Sequence, residues 1–152
     1  MTATNVRPMQ LLRTHAAERP TSFQDPAYQA FWLLRVAFVV APILFGLDKF
    51  AHVLVDWDRY LAPEFTDLFN TRAHTLMYGV GAIEIAAGLV VALRPRFGGY
   101  LVAAWLAGII TNLLLMADYY DIALRDFGLL LAALTLARLA AAFPPHREVR
   151  AR

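Results

Sequence analysis

Gly46-Leu47-Asp48-Lys49-Phe50-Ala51-His52 places an acid, a base and an imidazole near the end of a long apolar run, Phe31 to Val55. A charge deep in lipid costs from about 2.5 to well over about 10 kcal/mol. Such groups persist there only when they are paired, hydrated or useful. The partners on offer lie in the other apolar runs: Glu84, Asn112, Arg125 and Asp126.

The surroundings of this stretch set the fold class. The chain has 152 residues, of which 59% are hydrophobic and 17% charged. Soluble domains usually stand near about 45–50% apolar and about 25% charged. The apolar residues fall in four blocks, each close to the roughly 20 residues that span a bilayer. These features predict an all-α integral membrane protein, an antiparallel four-helix bundle with a short interfacial helix between spans 1 and 2. The formal net charge of +2 and the lack of a basic, aromatic-interleaved face argue against nucleic acid as a partner. With no cysteine, the chain has no disulfide, thiolate metal site or thiol catalysis of its own. The polar N-terminus and the length of the first apolar run argue against a cleavable signal.

The expected domain plan is a cytoplasmic tail over 1–25, a membrane domain over 26–143 and a second cytoplasmic tail over 144–152. Within the membrane domain the spans are placed at about 31–55, 72–93, 99–117 and 122–143. The first tail reads as solvated, with a short surface helix around Met9 to His15 as the alternative. Asp25-Pro26 is a helix start, Asp as N-cap and Pro in the first turn. Leu61, Phe65, Leu68 and Phe69 follow amphipathic spacing, which predicts the interfacial helix after Pro63. Asn70 or Thr71 can cap the next helix. Arg94-Pro95 stops it, because proline disfavours helical geometry in the residue before it. The short Asp118-Tyr119-Tyr120-Asp121 connection makes spans 3 and 4 antiparallel neighbours. Pro144-Pro145 closes span 4.

Arg7, Arg13, Arg19, Arg94, Arg96, Arg138, Arg147, Arg150 and Arg152 fall on one side of this topology, and only Arg59 and Arg72 on the other. The positive-inside rule then places both termini in the cytoplasm of a multi-pass protein. Small residues recur every four positions: Ala82 and Ala86; Gly99, Ala103, Ala107 and Thr111; Ala104, Gly108 and Asn112; Gly128 and Ala132. Such stripes allow close helix approach in lipid. Gly79 and Gly81 read as helix packing too.

Topology brings Asp48, Lys49, His52, His74, Asn112, Arg125 and Asp126 to one level near the extracytoplasmic surface, with Glu84 nearer the middle. The expected pairs are Lys49 with Asp126 or Glu84, and Arg125 with Asp48. Three readings of this cluster stay open. It holds the helices in register, it lines a pocket for a quinone or small anion, or it carries a proton path through Glu84 and the histidines. Candidate catalytic residues are Lys49, Glu84, Arg125 and Asp126; candidate cofactor-binding residues are His52, His74 and Asn112. His52 and His74 are compatible with haem or metal ligation, yet neither sits in a ligand-spaced motif, so no metal site is assigned and haem gains little support. Arg35 reads as a snorkelling side chain. Trp57, Tyr60, Tyr119 and Tyr120 read as interface anchors.

Leu34-Arg35, Gly46-Leu47-Asp48-Lys49, Glu84 followed by Gly88-Leu89, and Leu124-Arg125-Asp126 followed by Leu129-Leu130-Leu131 resemble the DoxX-like family of small four-helix bacterial membrane proteins. The resemblance covers roughly Phe31 to Phe143. It implies a bacterial inner-membrane location and a subunit of a redox, quinone-linked system, with Lys49, Glu84, Arg125 and Asp126 carried over as the functional positions. A cysteine-based version of that chemistry is closed to this chain. The alternative function is a non-catalytic structural or assembly subunit, so enzymatic activity stays open. Quinone is the candidate cofactor, and the expected partners are the bilayer and other membrane proteins or further copies of the chain.

Overall fold

A computed structural model describes residue 23 and residues 25–143, and every described element is helical. The tail readings for 1–22, including the helix around Met9, and for 144–152 lie outside the described residues. Helix α1 covers Pro26–Ala51, α2 Pro63–Phe69, α3 Ala73–Leu93, α4 Pro95–Met116 and α5 Tyr120–Ala142, with a 3-10 turn at Trp57–Tyr60. Among the described residues there is no strand. Three helices, α1, α3 and α4, are long and apolar enough to cross a membrane. Helix α5 is comparable in length, but carries Asp121, Arg125, Asp126 and Arg138.

The helix ends follow from local chemistry. Asp25 accepts the Ala27 N–H at 2.9 Å, and Pro26 stands where a missing N–H costs nothing. At its other end α1 stops at Ala51, four residues earlier than the apolar pattern predicts. His52 takes the left-handed conformation (φ 53°) and its N–H closes on the Asp48 carbonyl at 2.6 Å. Asn70 and Ala117 end α2 and α4 in the same left-handed way. Asn70 is therefore a C-cap and not the N-cap of α3, whose N-cap is Arg72 with no side-chain bond. Arg94 closes α3 and opens α4, with Pro95 in the first turn, so the third long helix begins four residues before the predicted Gly99. Pro42 lies inside α1 without ending it, a loss of one backbone bond that membrane helices tolerate.

Helix α1 packs most extensively on α3 and α4 on α5, with thinner contacts from α3 to α4 and from α1 to α5. The contacts make both main pairs antiparallel. The start of α1 meets the end of α3 through Arg35 and Ala92, and its end meets the start of α3 through His52 and His74. Gly99, early in α4, faces Ala133 and Ala137, late in α5. Tyr28 stacks edge-on to Phe143, which joins α1 to α5 at the same end. Phe31, Phe38, Val91, Val102, Leu106, Ala133 and Leu136 form the shared core.

Close approach is confined to particular glycines. A Cβ on Gly46 would stand 2.6 Å from the Gly81 carbonyl, and one on Gly81 2.7 Å from that of Gly46. Either substitution pushes the α1 and α3 backbones apart. A Cβ on Gly79, Gly108 or Gly128 meets nothing. Gly79, Gly108 and Gly128 thus do not serve packing within this chain. The reason is register: these glycines lie on outward faces. Outward faces are also strongly apolar. Leu33, Val36, Val40, Leu44 and Leu47 form an exposed helical row on α1, and Leu124, Phe127 and Leu131 another on α5. Surfaces of this kind suit lipid contact.

Candidate functional site

Lys49 and Glu84 meet across the α1–α3 seam. Their Nζ–Oε2 distance is 2.6 Å, and the two residues are 3% and 8% exposed. The Gly46–Gly81 contact, one turn away on both helices, is what lets the two side chains reach one another without water between them. A charge-assisted bond of this length is among the strong ones. The Lys49 ammonium also lies 3.8 Å from the centroid of the Trp57 ring, so an aromatic face closes it from above. Trp105 stands beside Glu84 with its indole nitrogen buried.

Asp48, one residue earlier, does different work. It is 6% exposed, and its Oδ1 accepts the N–H groups of Val53 and Leu54, each at 3.0 Å. Its Oδ2 accepts the Trp57 indole N–H at 2.6 Å. These bonds satisfy the backbone where α1 ends and fold the following segment back over Lys49. Trp57 is therefore not simply an interface anchor. It links the Asp48 carboxylate to the Lys49 ammonium, and the pair Arg125–Asp48 does not form.

Arg125 instead bonds its neighbour one turn back. Its Nη2 stands 3.3 Å from Asp121 Oδ2, with the side chains 75% and 68% exposed. The i, i+4 spacing makes this local pair cheaper than any inward one. Asp126 is half-buried and close to Glu84, like charge near like charge, and forms no ion pair among the described residues. Lys49, Glu84 and Asp126 are thus gathered, whereas Arg125 stands on the rim. The expected inward convergence of Arg125 is corrected accordingly.

Asn112 is a clamp. Its Oδ1 accepts the Ala62 N–H at 2.9 Å and its Nδ2 donates to the Tyr60 carbonyl at 2.6 Å. Both bonds pin the segment between the 3-10 turn and α2 onto α4, and Ala62 is fully buried there. Arg35 at the opposite end donates from Nη2 to the Ala92 carbonyl at 2.5 Å, and its guanidinium lies 4.8 Å from the centroid of the Trp32 ring. It caps the C-terminal turn of α3, where carbonyls lack partners and the dipole favours a cation.

The two histidines meet where the end of α1 lies against the start of α3. Their rings stack with centroids 4.9 Å apart. His74 Nδ1 stands 3.1 Å from Asp58 Oδ2, and its Nε2 stands 2.8 Å from the Tyr78 hydroxyl. Asp58 was not among the residues the pattern singled out. It enters because the left-handed turn at His52 returns the chain across the start of α3. Nothing in the run His52-Val53-Leu54-Val55 announces such a turn, whereas a helix continued through Val55 would have carried Trp57 and Asp58 away.

Chemically, Lys49 and Glu84 neutralise one another behind Trp57, Asp48 organises the returning loop, and the His52–Asp58–His74 group presents nitrogen and oxygen donors. No protein-family model, curated protein or solved structure matches the chain.

Proposed function

We propose that the chain is a four-span integral protein of a bacterial inner membrane, and that it acts as a small accessory subunit that packs against other membrane proteins or further copies of itself. Both termini are cytoplasmic, and Pro63–Phe69 lies on the outer surface with Leu68 and Phe69 in the lipid headgroup region. The resemblance to the DoxX-like family agrees with this class. The observation that carries the accessory reading is the closure of the Lys49–Glu84 pair. Each charge is taken up by the other under the Trp57 ring, so the main polar group of the interior holds α1 on α3 instead of facing a substrate. Buried pairs of this kind specify register more than they add stability.

A second reading makes the subunit a direct participant in a quinone-linked redox system. It is favoured by Asp126, which is half-buried, near enough to Glu84 to act on its charge, and without an ion pair among the described residues. Lys49 would orient a quinone carbonyl, and Glu84 or Asp126 would relay its proton.

The two readings part in the purified protein. Gentle extraction into nanodiscs, a visible spectrum and a quinone assay of the extracted lipid separate them. The accessory reading expects a colourless chain with quinone no higher than in the surrounding lipid. Stoichiometric quinone that is lost in Lys49→Ala or Asp126→Asn would replace it with the second reading.

A further inference from the structure

We propose that His52, Asp58 and His74 form a binding site for a divalent transition-metal cation at the outer end of the α1–α3 seam. One donor atom from each side chain falls in a group whose members all lie within 4.8 Å of one another. The three residues come from three different pieces of the fold: the cap of α1, the 3-10 turn and the first turn of α3. Their meeting is made by the left-handed turn at His52 and not by proximity in sequence.

Three features favour a cation over a chance cluster. The first is orphaned polarity: His52 Nε2 and Asp58 Oδ1 are both buried and, among the described residues, have no hydrogen-bond partner. Buried polar atoms are satisfied in the great majority of cases. A cation among the three side chains gives the imidazole and the carboxylate the partners they lack. The second is the His74 ring. Its Nε2 is engaged by the Tyr78 hydroxyl at 2.8 Å, while Nδ1 faces the Asp58 carboxylate at 3.1 Å. A ligating histidine commonly donates its other ring N–H to a second group, which fixes the tautomer. With Nε2 engaged by Tyr78, Nδ1 and the Asp58 oxygen are left facing one another, where the two can share a cation.

The third is the donor set. Two imidazoles and one carboxylate suit Zn2+, Cu2+, Ni2+ or Co2+, and the absence of cysteine removes the soft thiolate that Cu+ prefers. Zinc–donor bonds of about 2.0–2.1 Å put tetrahedral ligand atoms about 3.3 Å apart. Small side-chain rotations close the remaining gap, because the His52 and Asp58 side chains are not otherwise fixed at those atoms. Three protein ligands leave one position for water.

The test uses the full chain, purified in detergent without a polyhistidine tag and stripped with EDTA. Zn2+ is titrated by calorimetry and Co2+ by its visible ligand-field bands. The expected result is one cation per chain, four-coordinate Co2+ bands, and no competition from Mg2+ at equal concentration. His74→Ala, Asp58→Asn and His52→Asn each weaken binding by more than about tenfold, and Tyr78→Phe weakens it by about tenfold through the lost orienting bond. His52→Asn is the decisive variant, since asparagine keeps the left-handed cap; helical circular dichroism and melting of its metal-free form verify the fold. Asp121→Asn, on α5 and outside the group, leaves affinity unchanged. Absence of a one-to-one Zn2+ isotherm overturns the proposal. So does binding that survives His52→Asn and Asp58→Asn, or that follows His15 or His146 instead.

Discussion

Glu84 has one partner strong enough to justify an ionised carboxylate in an apolar seam, and that partner is Lys49. Removing one member strands the other, a loss of about 3–5 kcal/mol. Glu84→Gln and Lys49→Met should therefore each lower the thermal unfolding midpoint in detergent strongly. The double variant Lys49→Met/Glu84→Leu should recover most of the loss, because replacing both partners by apolar groups is nearly neutral. Arg125→Ala should leave the midpoint almost unchanged, since exposed pairs are worth about 0–1 kcal/mol. Equal effects from Glu84→Gln and Arg125→Ala would contradict this ranking. At this scale the sequence was informative where charge met an apolar helix, as at Lys49 and Glu84. It misled at Arg125, where the local i, i+4 partner Asp121 was visible but an inward partner was preferred. Trp57 reads there only as an interface anchor, because its contacts with Asp48 and Lys49 depend on the left-handed turn at His52.

Among the elements, the connection from α1 to α2 depends on one side chain from α4. Asn112→Leu leaves the Ala62 N–H and the Tyr60 carbonyl without their partners, and a buried group so stranded costs about 1–3 kcal/mol. Hydrogen exchange over 56–62 should rise in this variant while exchange in the middle of α3 stays slow. Unchanged exchange in the loop would show that Asn112 does not hold it. The helix seams make a second contrast. Gly46→Ala and Gly81→Ala force backbone against backbone and should each cost about 1–3 kcal/mol. Gly108→Ala and Gly128→Ala meet open space in the single chain and should be neutral, or gain up to about 1 kcal/mol from reduced chain entropy. A loss at Gly108 or Gly128 in native membranes, absent in the isolated chain, would place a partner helix on that face. Element identity was well marked in the apolar runs and at Asp25-Pro26 and Arg94-Pro95. The ends at His52 and Asn70 were not, because each is a left-handed cap without glycine, whereas α4 ends at Ala117, where the third apolar run was expected to stop.

For the molecule as a whole, the issue is which way the proposed spans run through the bilayer. Rows of exposed leucine, valine and phenylalanine on α1 and α5 give the surface that lipid requires. They carry no information on direction, which only the arginine distribution supplies. Because the chain has no cysteine, any introduced thiol is its sole label site. Leu68→Cys on α2 and Phe97→Cys at the start of α4 are both exposed positions at opposite ends of the helix axes. With arginines gathered at the Phe97 end, a membrane-impermeant maleimide should modify Leu68→Cys in intact spheroplasts. It should reach Phe97→Cys only after the membrane is opened. The reverse pattern would invert the orientation. It would also place the His52–Asp58–His74 group on the cytoplasmic side, where a different metal pool sets its occupancy. Labelling of both sites in intact cells would mean that the chain lies on the bilayer instead of crossing it, and the exposed apolar rows would then need a protein partner to cover them.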